Sequence, residues 1–279
     1  MSLFGDEAIS TADWRRWERW IVWCALLAVT ALAWCYLFTM PMTGMSHGEM
    51  MSMDGKQGMA MPADPKRGMM VAELGAWTVG ESVMMGLMWI VMMIGMMLPS
   101  AAPMVLMVAR VSAGQRKKGA RATSTTLFAS GYVVVWSVFS VLATALQWGL
   151  ERTDLLGASM SLKGGLVAGG VLIAAGLYQF SPLKDACLSL CRSPLAFVLN
   201  HWREGPRGAL VMGMHHGVFC LGCCWALMLL LFVFGVMDLL WVALLALYVL
   251  VEKVVPGGRA FSRVSGVLAI AGGAYLALS

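Results

Sequence analysis

The residues best suited to chemistry lie between Met212 and Met228, in the run M-G-M-H-H-G-V-F-C-L-G-C-C-W-A-L-M. Histidine and cysteine inside an apolar span are costly or reactive, and such groups mark function. At about 100° per residue on a helix, Met212, His216, Cys220 and Cys223 fall within roughly 80° of one another. Cys224 lies at the edge of that arc, and His215 points to the other side. An imidazole, thiols and a thioether then line one strip. Soft ligands of this kind suit Cu(I), and thiolate with imidazole also suits Zn(II). Met212 and Cys223 are about 16 Å apart along the axis, so one ion cannot take all four. A site needs two of them plus ligands from another helix. Two other readings use the same residues. The cysteines can pack as small hydrophobes, with Gly213 and Gly217 permitting close helix approach. Cys220-x-x-Cys223 can also exchange electrons as a thiol pair with Cys187 and Cys191 or with a quinone.

Methionine supplies the second set of soft ligands. The chain holds 25 methionines, 19 of them between Met40 and Met107. Met88, Met92 and Met96 recur at i, i+4. Met85 extends the stripe, and Met93 with Met97 repeats it on the next face. Such stripes usually pack, but thioethers also bind Cu(I) without deprotonation, which suits passing an ion along. Met45, His47, Met50, Met51 and Met53 fall in a Gly/Met segment that has no helical or strand period, and are candidates for capturing Cu(I) or Ag(I). Cys187 and Cys191 are one helical turn apart and would share a face.

These side chains need elements to hold them. Of 279 residues, 59% are hydrophobic and 13% charged; soluble domains carry about 25% charged residues. The expectation is an all-α, polytopic helical membrane protein with about seven transmembrane helices. The spans are read at 20–40, 82–109, 124–149, 164–180, 208–234, 239–253 and 264–278. Pro99 and Pro103 should kink the second. Residues 181–207 read as a polar segment with an amphipathic interfacial part. Alternate loops carry 15 of the 20 Lys and Arg, which places the N-terminus and residues 181–207 in the cytoplasm and the Met-rich loop outside. Three regions follow: 1–40, an interfacial segment and first span; 41–80, the extracytoplasmic loop; and 81–279, a six-helix membrane domain.

Other chemistries are missing. There is no glycine-rich phosphate loop, no G-x-S-x-G and no H-E-x-x-H. Carboxylates are scarce in the spans, which argues against a proton-driven pump. Seven scattered cysteines are not a secreted disulfide framework. No basic face with aromatics suggests nucleic acid.

Four segments together resemble a known family. They are W-x-x-M-M-x-x-M-M-L-P-S at 89–100, G-Y-x-x-x-W at 131–136, L-Y-Q-x-x-P-L-K-x-x-C-L-x-x-C-R-x-P at 177–194, and C-x-G-C-C-W-A-L-M at 220–228 with E-K at 252–253. They resemble an uncharacterised bacterial family of predicted metal-binding integral membrane proteins, over about residues 82–275. The resemblance implies a multi-span membrane protein and supports metal at Cys220, Cys223 and Cys224. The combined expectation is a multi-pass protein of the bacterial inner membrane, with the bilayer, a metal ion and a copper chaperone or copper enzyme as partners. It takes soft metal from outside for transport or delivery. The alternatives are a membrane thiol oxidoreductase and a non-catalytic accessory subunit.

Overall fold

The computed structural model describes residues 5–39, 77–117, 124–157, 160–255 and 258–278. They form an all-α bundle: α1 Gly5–Thr39, α2 Val79–Lys117, α3 Thr125–Arg152, α4 Gly165–Tyr178, α5 Pro182–Arg192, α6 Pro194–His201, α7 Gly205–Leu229, α8 Leu231–Phe234, α9 Leu239–Val254 and α10 Gly258–Leu278. The Met-rich loop, including Met45, His47, Met50, Met51 and Met53, lies outside the described residues.

Local chemistry starts the helices. Ser124 caps α3 by accepting from Leu127 N at 3.3 Å, Ser181 caps α5 from Leu183 N, and Asp238 caps α9 from Leu240 N at 3.0 Å. Pro182 and Pro194 occupy first-turn positions, where the missing N–H has no intrahelical partner to lose. Gly235, at φ 105°, turns the chain from α8 toward α9. α2 runs continuously through Pro99 and Pro103.

α2 is the centre. Trp89, Met92, Met93, Met96, Met97 and Met104 are all at most 1% exposed, so both methionine faces are core. α1 covers one side of α2 and leaves Trp20, Leu27, Leu32 and Phe38 exposed. α3 and α7 approach through glycine. A methyl group on Gly213 would sit 2.0 Å from Phe128 O, and one on Gly131 would sit 2.2 Å from Leu210 O. Only a residue without Cβ permits that backbone contact. α4 and α10 meet the same way, Gly169 against Gly273 and Gly176 against Gly266.

Among the described residues, five stretches are long and apolar enough to cross a membrane: Trp20–Thr39, Val79–Gly114, Thr125–Arg152, Gly205–Phe234 and Gly258–Leu278. A sixth arises if α4 and α5, bent by 63°, count together. The expected seventh rests on α9, whose 16 residues reach only about 24 Å. Residues 181–207 form α5 and α6, and α5 turns into the bundle with Lys184, Cys187 and Leu188 buried and Leu183 60% exposed.

Candidate metal centre

The strip on α7 faces the interior. Met212, His216, Cys220, Cys223 and Cys224 are buried, while Met214 and His215 are exposed. Gly222 leaves room for α5: a methyl group there would lie 2.7 Å from Cys187 Sγ. Tyr178 Oη donates to the carbonyl of Gly222 and ties the end of α4 to the same turn. α5 thereby brings its two thiols to α7. Cys187 is buried beside Cys223, and half-buried Cys191 lies near enough to Cys220 and Cys223 for the thiols to interact.

Cys220 Sγ has two further neighbours. Tyr132 Oη, from α3, is 3.1 Å away, and Lys253 Nζ, from the last turn of α9, is 2.9 Å away. Lys253 also donates to Ser100 Oγ on α2 at 3.0 Å. Tyr132 Oη and Ser100 Oγ both contact Met97 O, at 3.1 and 2.8 Å. Four helices (α3, α5, α7 and α9) therefore meet at one sulfur, and α2 holds two of its neighbours, Lys253 through Ser100 and Tyr132 through Met97 O. Ser100, Tyr132, Cys191, Cys220 and Lys253 come from all four resembling segments, which sequence separates by more than 150 positions and the fold joins.

One layer further out, Lys184 Nζ lies 2.7 Å from Glu252 Oε1, with both side chains at most 1% exposed. The pair meets the distance of an ion pair but not the angles of a hydrogen bond, and Glu252 Oε2 has no hydrogen-bond partner. Ser262 Oγ donates to Glu252 Oε1, and Tyr248 Oη reaches the same oxygen at 3.4 Å. Glu252 sits near the end of α9 and is fully buried. Breaking such a pair leaves a buried charge uncompensated, at a cost of about 3–5 kcal/mol. The pair fastens α5, and with it Cys191, to α9.

His216 lies among aromatic rings, 5.6 Å from Tyr132 and 6.0 Å from Phe128, both stacked, and 5.4 Å from Phe197 edge-on. Its Nδ1 is buried without a partner. His216 and Met212 are one and two turns from Cys220 along α7; His216 stacks on Tyr132, the neighbour of Cys220, and lies near enough to Cys220 and Lys253 to feel their charge. Met88, Met92 and Met96 step along α2 at i, i+4, and the next step is Ser100.

Among the described residues, no group of three or more His, Cys, Asp or Glu is laid out ready to hold a metal ion. The thiols of Cys223 and Cys224 donate to Cys220 O on their own helix, at 3.1 and 3.0 Å, while the sulfurs of Cys191, Cys220, Cys223 and Cys224 lie near enough to interact. All seven cysteines are free thiols. The donor set fits a soft, low-coordinate ion: sulfur with a compensating ammonium beside it.

Sequence reasoning missed Tyr132, Ser100 and Lys253 as members of this site. Lys253 carried the clearest signal, being a cation at the end of an apolar helix, but no pattern of spacing pairs it with Cys220. No curated protein and no solved structure matches the chain. A family model described as copper chaperone does match, over residues 86–276, the part of the chain that builds the cysteine junction, and the chain therefore belongs to that family, PpoB2.

Proposed function

We propose that the protein is a Cu(I)-handling protein of the bacterial inner membrane that accepts copper from the extracytoplasmic side and delivers it to a copper enzyme or a soluble copper chaperone. The observation that carries this reading is the contact of Lys253 with Cys220 inside the group formed by Cys191, Cys223 and Cys224. Charge selects the ion. Lys184, Glu252 and Lys253 are buried and sum to one positive charge. Two thiolates on a monovalent ion sum to one negative charge, and the site is neutral. Zn(II) with four thiolates leaves an excess of negative charge that Lys253 alone does not offset. Two-coordinate Cu(I) also needs only two thiols, one of which Cys220 supplies. Cys224 and Cys187 are reserve donors on either side.

The route follows from the same elements. Met45, His47, Met50, Met51 and Met53 collect the ion outside. Met88, Met92 and Met96 conduct it along α2 to Ser100, where Lys253 and Cys220 meet. Thioether gives way to thiolate along this path, so affinity rises inward. Met212, His215 and His216 belong to the opposite half of α7. This direction requires the N-terminus in the cytoplasm and seven crossings, with the bent α4–α5 pair and the short α9 each counted as one.

The test is an anaerobic Cu(I) titration of detergent-purified protein against a chromogenic chelator. Wild type should hold a tight copper ion that Cys220→Ala/Cys223→Ala loses entirely, with Ag(I) competing and Zn(II) not. Equal tight binding by the double variant would refute the reading.

A further inference from the structure

Three of the four histidines gather at the junction of α6 and α7, away from Lys253. His201 ends α6 and is half-buried; His215 is exposed on α7. Their ring centroids are 6.0 Å apart with planes at 76°. An imidazole nitrogen binds a metal at about 2.0–2.1 Å, which puts each ring centroid roughly 3.2 Å from the ion and two such centroids at most about 6.3 Å apart. The observed separation lies inside that limit. His201 is also prepared as a ligand. Its Nδ1 is 3.2 Å from Phe197 O. A carbonyl only accepts, so Nδ1 carries the proton and Nε2 keeps its lone pair, the usual second-shell arrangement of a metal-binding histidine. Stacking on Phe197 at 4.9 Å fixes the ring plane.

The surroundings make packing a poor reason for these imidazoles. Leu195, Leu199 and Val218 nearby are exposed apolar side chains, and a polar ring beside an apolar surface is costly without a role. The polar side of the same junction carries Glu204 and Arg207, both exposed, so the pair sits where apolar surface meets polar surface. Phe197 joins this pair to the interior, because it stacks on His201 and meets buried His216 edge-on at 5.4 Å. His216 has an unpartnered Nδ1 and lies one turn from Cys220.

We propose that His201 and His215 form a second, surface copper site of two imidazoles, a port through which the ion passes between the interior, by way of His216, and a carrier on the side of the membrane that holds residues 181–207. No redox step is involved. Each transfer breaks one metal–nitrogen or metal–sulfur bond as another forms, the proton that a thiol loses on taking the ion passes to the imidazole that releases it, and the ion stays Cu(I). The site stands on its own geometry, whereas its role as a port rests on the copper reading of the cysteine junction.

The experiment uses the full chain in detergent micelles, with Cu(I) added anaerobically. Wild type is compared with His201→Gln/His215→Gln and, separately, with Cys220→Ser/Cys223→Ser. The histidine variant should bind one ion fewer than wild type, losing a weaker ion and keeping the tightest one. The cysteine variant should lose the tightest ion and keep the one that the histidine variant loses, with nitrogen neighbours by X-ray absorption. In wild type, Cu(I) should protect His201 and His215 from carbethoxylation by at least about fivefold, a readout that needs no substitution. An unchanged titration in the histidine variant, or no protection in wild type, overturns the pair. A tight ion retained by the cysteine variant overturns the junction instead and leaves the pair standing.

Discussion

Lys253 is the residue on which the electrostatics of the site turn. Its ammonium touches Cys220 Sγ and Ser100 Oγ in a place shielded from water, and Glu252 beside it in sequence is engaged with Lys184. A charge pair in such surroundings is weakly screened, and truncating one partner costs about 2–5 kcal/mol of binding, roughly 30-fold or more. Lys253→Met should therefore weaken Cu(I) binding at least about tenfold in a competition titration, while Lys253→Arg keeps the charge and recovers part of it. Unchanged affinity in Lys253→Met would mean that the ammonium has no part in holding the ion. At this scale the sequence was legible where one helix decides the outcome. The angular spacing of Met212, His216, Cys220 and Cys223 put them on one face, and that face is buried, with His215 outside it. It was silent on Tyr132, Ser100 and Lys253, because a contact between helices has no period in the chain.

Among the elements, α5 is the one whose placement differs most from expectation. A segment with Lys184, Asp185 and Arg192 reads as polar surface, yet it turns by 63° from α4 and carries Lys184 inward. The buried carboxylate of Glu252, 68 positions away, provides the reason; that Lys184, Glu252 and Lys253 fall near one membrane face makes such a pairing legible in the sequence, but not its burial. Gly222 sets how near α5 can come to α7. Gly222→Ala would place a methyl group 2.7 Å from Cys187 Sγ, and overpacking of this kind costs about 1–3 kcal/mol. Its thermal midpoint in detergent should fall by several degrees, and Gly222→Ala/Cys187→Ala should regain most of that loss by removing the sulfur. A double variant no more stable than the single one would show that the glycine serves something other than this contact. The glycines between α3 and α7 were read correctly as a close-approach motif, since Gly213 and Gly217 lie against Phe128 and Val135.

For the whole molecule, bulk composition was enough to predict an all-α chain with several spans. The number of crossings was harder to read, since α9 is short and α4 continues into a bent helix rather than a straight one. Orientation is testable directly. With the N-terminus in the cytoplasm, a reporter active only outside the cytoplasm should be active when inserted near residue 60 and inactive at residue 118 or at the N-terminus; the reverse pattern would invert the proposed direction of copper flow. The central claim is that copper is held by sulfur where α5, α7 and α9 meet. The most direct measurement is copper X-ray absorption on the full chain loaded with one equivalent of Cu(I). The account predicts monovalent copper with a first shell of two or three sulfurs, replaced by lighter ligands in Cys220→Ser/Cys223→Ser. A first shell of nitrogen and oxygen in the wild-type protein would contradict it.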